Sequence, residues 1–352
     1  MNFYRTFRNF VGDNFIAPLE VFFAVNYPAF YDDYFYNVKH RARRENCGEV
    51  FFTQMNGYED FIQLKRENDF ALKIPTNFPV TPVKFKVAAI VHIFYLELVD
   101  EIKSLLLNIP CAVDVYISTN SPEQKTVIEK SFADFDKGRV AVKIFINRGR
   151  NIAPAFVGWR EIFYGYDACV HIHTKKSPHN SHHLAGWREH LYRNLLGSPE
   201  IVSGILNILA DERVGMVFPQ YFAPIRIFIN WGKNYIVTKN FLHKIGIDID
   251  NRNLIEFPAG SMFWFKPKAL APLLDSGLTF DDFPKERGQV DGTLAHAIER
   301  SFLFIVETAG FRWVKVTADE KNFSMTPTLK SRSQAELDAN ISQAWHSVLK
   351  RY

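Results

Sequence analysis

The chain has 352 residues, a formal net charge of +4, 47% hydrophobic residues and 23% charged ones. That balance excludes a mostly disordered chain, and so small a positive excess gives no footing for nucleic-acid binding. The three scattered cysteines (Cys47, Cys111 and Cys169) exclude a zinc ribbon or a disulfide scaffold and suit a reducing compartment.

Length predicts about two domains, or one domain with appendages. The longest apolar run, Val87 to Leu96, contains His92 and falls short of the ~20 residues that span a bilayer. No apolar signal-peptide core is visible, so the expectation is a cytoplasmic protein.

Residues 1–84 read as a helical, aromatic-rich extension and linker. The first 36 residues hold 13 Phe or Tyr, followed by the basic cluster Lys39, His40, Arg41, Arg43 and Arg44. Phe3, Phe7 and Phe10 share one helical face beside Arg5 and Arg8, which suits either peripheral membrane contact through residues 1–44 or packing on the main domain. Pro75, Pro79 and Pro82 make the stretch before 85 a linker.

From 85 to 320 strands alternate with helices. Strands are predicted at 86–95, 112–120, 140–147 and 167–174. Helices are predicted at 99–109, 121–132 and 152–164. Ser121 followed by Pro122 makes a good helix start. A helix over 185–196, one ending near Ala210, strands at 214–219 and 262–265, and a helix after Gly288 follow. The last is inferred from Val290, Leu294 and Ile298 recurring every four residues. Residues 321–352 end in a helix, with Ser333 and Glu336 spaced as a capping box. The order implies an α/β fold, a mostly parallel sheet flanked by helices, with ligands at the carboxyl ends of its strands. His92, Thr119, Asn147 to Asn151 and His171 to Lys176 all fall at such ends.

Four stretches carry possible chemistry. HIHTKKSPHNSHH (171–183) holds five of the 11 histidines. On a strand His171 and His173 share a side, as a metal pair would, but no carboxylate is near and Lys175 and Lys176 repel a cation. A divalent metal is therefore possible but not favoured, and no metal ligand is assigned. The other reading is anion binding, with Thr174, Lys175 and Lys176 facing a diphosphate. In NRGRNIAPAF (147–156) Gly149 permits a tight turn, while Arg148 and Arg150, with Asn147 and Asn151 beside them, offer forks to phosphate at a helix start. FPAGSMFWFKP (257–267) suggests backbone close to a ligand at Gly260 and Ser261, with Trp264, like Trp187, a candidate sugar platform or a core residue. In GQVDGTLAHAIER (288–300) Asp291, after Gln289, is either a helix cap or a catalytic carboxylate.

Together these stretches, with GWREHLYRNLLGSPEIV downstream of the histidines, resemble the rhamnan synthesis protein F family over roughly 87–310. The layout also resembles the GT-A glycosyltransferase fold. The resemblance implies a glycosyltransferase that builds a rhamnose-containing surface polysaccharide, with a nucleotide-sugar donor and a glycan or lipid-linked acceptor. It places His171-Ile172-His173 where a metal-binding DxD motif is expected, the 147–151 loop on the donor, and Asp291 where the base is expected. dTDP-L-rhamnose, an inverting transfer and a metal-independent site served by Lys175 are its further implications. Two alternatives stay open: a non-catalytic glycan-binding or scaffold subunit, and a metal-dependent hydrolase using the histidines.

Overall fold

The computed structural model describes residues 48–54, 60–80, 82–175, 184, 186–318 and 326–352. The expected membrane-facing helix within 1–44, and Lys176, lie outside them. In chain order the regular elements begin with β1 (Val50–Gln54), β2 (Asp60–Leu64) and β3 (Ala71–Lys73). The sequence reading puts these stretches in a helical extension, and the structure puts strands there instead. The β-branched and aromatic run at Val50 to Thr53 pairs antiparallel with β2 as a ribbon, and β3 joins the main sheet.

The remaining elements are β4 (Val87–His92), α1 (Val99–Leu106), β5 (Val113–Thr119), α2 (Pro122–Ser131), β6 (Val140–Ile144) and β7 (Ala168–His173). Then come α3 (Trp187–Leu196), α4 (Pro199–Ala210), β8 (Val214–Pro219), α5 (Tyr235–Lys244) and β9 (Phe263–Phe265). The last are α6 (Leu294–Thr308), β10 (Arg312–Thr317), β11 (Thr328–Leu329) and α7 (Gln334–Ala344). Helix starts follow local chemistry. The hydroxyls of Ser121, Ser198 and Ser333 accept the N–H groups of Gln124, Ile201 and Glu336 at 3.2, 3.3 and 3.2 Å. Each such cap stabilises its helix by about 1 kcal/mol.

The main sheet has nine strands in the order β11-β3-β10-β8-β9-β7-β4-β5-β6. Every pairing in it is parallel except those of β9 with β7 and β8. Alternation along the strands sorts the core into two faces. Val170 and Trp264 join one, with residues of α1, α3, α4 and α7. Cys169, Phe263 and Phe265 join the other, with Phe156, Trp159, Phe163 and residues of α5 and α6. This is the expected α/β architecture, a mostly parallel sheet covered on both sides. Among the described residues no helix is long and apolar enough to cross a membrane.

Two predicted helices differ. Over 152–164 the chain makes a π turn at Pro154–Gly158 and a 3-10 segment at Arg160–Gly165. Burying Phe156, Trp159 and Phe163 on the sheet decides that backbone, and Gly158 lets the ring of Phe145 approach where a Cβ would stand 2.7 Å from it. After Gly288 the helix begins only at Leu294, because Thr293 is its cap. Val290 is 78% exposed, so its spacing from Leu294 and Ile298 does not report a shared face.

Beneath the sheet's second face lies a sealed ionic cluster. Asp69 pairs with Lys315 and Arg226, and Lys315 Nζ also reaches Glu256 at 3.0 Å. Burial opposes the Asp69 charge, yet Lys315 and Arg226 hold its pKa below the ordinary carboxylate value. Tyr221 donates its hydroxyl to Glu256, whose carboxyl is pushed up by burial. The cluster ties β3, β10 and the segments after β8 and before β9 together, so it braces the sheet whose edge carries the candidate site.

Candidate active site

The carboxyl ends of β4, β5 and β7 place two expected residues, His92 and His173, in register with each other and with Ser118. His92 pairs with Ser118 on one side and with His173 on the other. His92 Nδ1 lies 2.9 Å from the Ser118 hydroxyl, and burial followed by the nearby His173 lowers its pKa to about 3. His171 is completely buried among Phe156 and Phe263, and burial then the other two histidines lower it to about 3. His171 and His173 do share a side of β7, with ring centroids 6.2 Å apart. Among the described residues no three metal-ligating side chains converge on one point. The three rings form a neutral floor beneath the strand ends.

On that floor stands the segment before β9. His173 Nε2 is 2.9 Å from the Gly260 carbonyl, and its Nδ1 is 3.1 Å from that of Thr174. Gly260 has φ +91°, and a Cβ there would meet Leu191 at 2.9 Å and Trp187 at 3.2 Å. Ser261 takes φ +54°, a left-handed conformation rarely adopted by serine. The residue holding it is Glu299 of α6, whose Oε1 accepts the Gly260 N–H at 2.9 Å and the Ser261 hydroxyl at 2.8 Å. Sequence reasoning missed Glu299. One carboxylate inside a helix looks like a solvated side chain, and only its partners 38 and 39 residues away reveal its work.

Lys175 follows β7, half-buried, with its ammonium 3.9 Å from the centroid of the Trp187 ring. Burial lowers its pKa to about 8, with Glu299 opposing and Arg150 adding to the shift. Arg150 comes from the 147–151 loop at φ +55° and donates to the Gln289 carbonyl, with Glu286 3.9 Å away. Gly149 makes that turn at φ +68°, where a Cβ would stand 2.5 Å from Ala153 and 2.6 Å from the Phe283 ring. Asn151 Nδ2 is buried without a hydrogen-bond partner among the described residues.

Asp291 lies outside the helix, in the approach to α6. Its Oδ2 accepts the Lys233 N–H at 3.0 Å, its Oδ1 accepts from Asn234 at 2.6 Å, and Arg300 Nη2 stands 4.0 Å away. Burial would raise its pKa, but Arg300, Asn234 and Lys233 hold it below the ordinary carboxylate value. Each oxygen thus has one fixed donor and keeps a lone pair for a further proton. The arrangement keeps Asp291 ionised and leaves it able to accept a hydrogen bond from an incoming hydroxyl.

Several expected residues do other work. Trp264 is fully buried in β9 and donates to the Leu195 carbonyl at 3.1 Å, so it is a core residue and offers no sugar platform. Thr119 is sealed between the Ile93 carbonyl and Gln124 at the start of α2. Thr174 accepts the N–H groups of Phe94 and Tyr95, which fixes the turn after β4. Arg148 turns away to the exposed Asp281 at 2.8 Å, and Asn147 is exposed. Gln289 folds its amide onto Lys285 and Arg287 and presents its carbonyl to Arg150.

A family model described as Rhamnan synthesis protein F matches residues 68–311 of the chain. The uncharacterised protein WxcX of Xanthomonas campestris pv. campestris strain B100 is 35% identical over 243 residues. Its counterpart in strain ATCC 33913 is 34% identical over the same length. Each match covers 68% of this chain and 33% of the relative, so the chain spans about a third of the length of the curated relatives it matches. The matched span includes both the sheet from β4 to β9 and the whole of the candidate site.

Proposed function

The chain belongs to the rhamnan synthesis protein F family, and from that membership we propose that it is a glycosyltransferase of rhamnan-type surface polysaccharide synthesis. It transfers a deoxyhexose, L-rhamnose from dTDP-L-rhamnose, to a growing glycan or a lipid-linked acceptor, with inversion. The acceptor hydroxyl loses its proton to Asp291 as its oxygen attacks the anomeric carbon. The bond from that carbon to the phosphate breaks, and the diphosphate leaves with the electron pair. Lys175 and Arg150 balance the charge that develops there, work for which other enzymes use a divalent ion. Gly260, Ser261 and Trp187 flank the acceptor, and residues 1–44 bring the protein to the membrane surface.

The observation that carries this reading is electrostatic. Arg150 and Lys175 are close enough to act on each other's charge, and Glu299 acts on Lys175 from α6, the helix that Asp291 precedes. Cations that serve a leaving diphosphate and a carboxylate that receives an incoming hydroxyl are what such a transfer needs.

The test is transfer and donor binding by the purified chain with a panel of nucleotide sugars, in Mg²⁺ and in EDTA. Asp291→Asn is expected to lower turnover by about 10²- to 10⁴-fold while donor affinity stays within about threefold. Undiminished turnover in that variant removes Asp291 as the base. Activity lost in EDTA and restored by Mg²⁺ removes the metal-independent part of the reading.

A further inference from the structure

We infer that His296 is a ligand-contacting residue of this site: its Nε2–H and the Arg150 guanidinium form one donor set for the phosphoryl oxygens of a nucleoside diphosphate. This rests on the nucleotide-sugar reading above and adds a residue that neither motif nor family resemblance singled out.

The argument begins with the helix start. His296 occupies the third position of α6, where a capping box ordinarily has Glu or Gln. Its Nδ1 accepts the Thr293 N–H at 3.4 Å and lies 2.8 Å from the Thr293 hydroxyl. A backbone N–H can only donate, so Nδ1 is the unprotonated nitrogen and the proton of the neutral ring sits on Nε2. Burial, then Arg150, lowers the pKa of the ring, so neutral is its state at physiological pH.

That Nε2 is buried and has no hydrogen-bond partner among the described residues, and the residue as a whole is 9% exposed. A buried donor left unpaired costs about 1–3 kcal/mol, which an acceptor supplied by a ligand recovers. Nδ1 faces the cap, so Nε2 points away from it, and the charges that act on the ring are those of Arg150, Glu299, Asp291 and Arg300. The carboxylates among them are committed. Glu299 holds Gly260 and Ser261, and Asp291 is held by Asn234, Lys233 and Arg300. Among the described residues Arg150 is held only by the Gln289 carbonyl and, more distantly, by Glu286, contacts that an anion can displace.

What remains is a donor-rich corner. Arg150 is also the cation that acts on Lys175, which links His296 to the proposed diphosphate position. An oxygen ligand carrying several negative acceptors fits such a corner, and a phosphoryl group is one.

The test uses two variants that keep the cap and remove the free donor. His296→Asn places an acceptor where Nδ1 stood, and His296→Gln restores the ordinary capping-box residue. Wild type and both variants are titrated calorimetrically with dTDP, UDP, GDP and inorganic pyrophosphate, and their unliganded melting temperatures are compared. At least one diphosphate is expected to bind wild type, and both variants are expected to bind it at least about tenfold more weakly with unchanged melting temperature. Unchanged affinity in both variants overturns the role of His296 and leaves the nucleotide-sugar reading standing. No binding of any of these probes by wild type overturns that reading and the inference with it. The wild-type protein gives a second readout that needs no variant. ¹⁵N–¹H correlation through the imidazole rings should show the His296 proton on Nε2 and a shift of that signal on adding the bound diphosphate. A proton on Nδ1, or a signal unmoved at saturation, overturns the inference.

Discussion

The Lys175 ammonium lies over the Trp187 ring, and the edge of that ring occupies the space a side chain at Gly260 would need. One aromatic side chain therefore seats the cation and sets the position of the loop before β9. The cation–π contact compensates part of the desolvation that burial imposes on the ammonium.

Lys175 should make ligand affinity depend on pH. Its pKa is lowered to about 8, so the free protein keeps the positive charge below that value and loses it above. Affinity for a nucleoside diphosphate should be flat below about pH 8 and fall by up to about tenfold per unit above it. The sign for stability is opposite. Between about 8 and the ordinary 10.5 the unfolded chain holds a proton that the folded chain has released, so this residue adds stability as pH rises. Lys175→Arg should move the falling limb out of the titratable range, and calorimetric titration of wild type and variant across pH checks this.

Glu299 should separate positioning from charge. In Glu299→Ala the Gly260 N–H and the Ser261 hydroxyl lose their acceptor, and the left-handed turn loses its anchor. A loss of about 1–3 kcal/mol is expected in urea denaturation. Glu299→Gln keeps an oxygen acceptor and should recover most of that stability. It should also alter the pH profile of diphosphate binding, because the removed charge is the one that raises the Lys175 pKa.

The sealed cluster predicts a large effect far from any ligand. Lys315→Met leaves Asp69 and Glu256 buried with one cation fewer between them. Removing one partner of such a cluster costs about 3–5 kcal/mol, measurable as a lower urea midpoint. Loss of less than about 1 kcal/mol would mean that water reaches these carboxylates.

Two glycines separate conformation from crowding. Gly149 and Gly277 share a left-handed φ, +68° and +73°, but only Gly149 has atoms within 4 Å of an added Cβ. Gly277→Ala should cost about 1 kcal/mol, the backbone term alone. Gly149→Ala should cost about 3 kcal/mol or more, since Ala153 and Phe283 must also move. The difference between their denaturation free energies measures the packing of the 147–151 loop.

The central strands were legible because their signal is local. Val87 to Val91 is continuously apolar and Ala168 to Ile172 is interrupted only by His171, and buried parallel strands look like that. Ser121-Pro122 and the Ser333–Glu336 spacing marked helix starts by chemistry that needs no distant partner. The misreadings arose where tertiary contacts decide. Trp264 has the composition of a sugar platform, but only the direction of β9 tells which way its ring points. Val290 matched a helical period by chance, while Thr293 set the helix start. Glu299 and His296 stood in the stretch read for Asp291, and neither is distinguished until the loops they serve fold onto α6. Asp69 and Lys315 lie 246 positions apart, a separation at which no sequence pattern links them.

β9 is three residues long and runs against both neighbours. Its reversed course means that its entrance, at Pro258 to Ser261, reaches the margin where β7 and β8 finish. The chain thereby brings the turn at Gly260 onto His173 at the end of β7 without an intervening crossover. Because Phe263 and Trp264 face opposite layers, sliding this segment by a single residue would exchange their rings and carry Ser261 off its carboxylate. The position of this margin is therefore set from within, by the fit of three fully buried aromatic side chains.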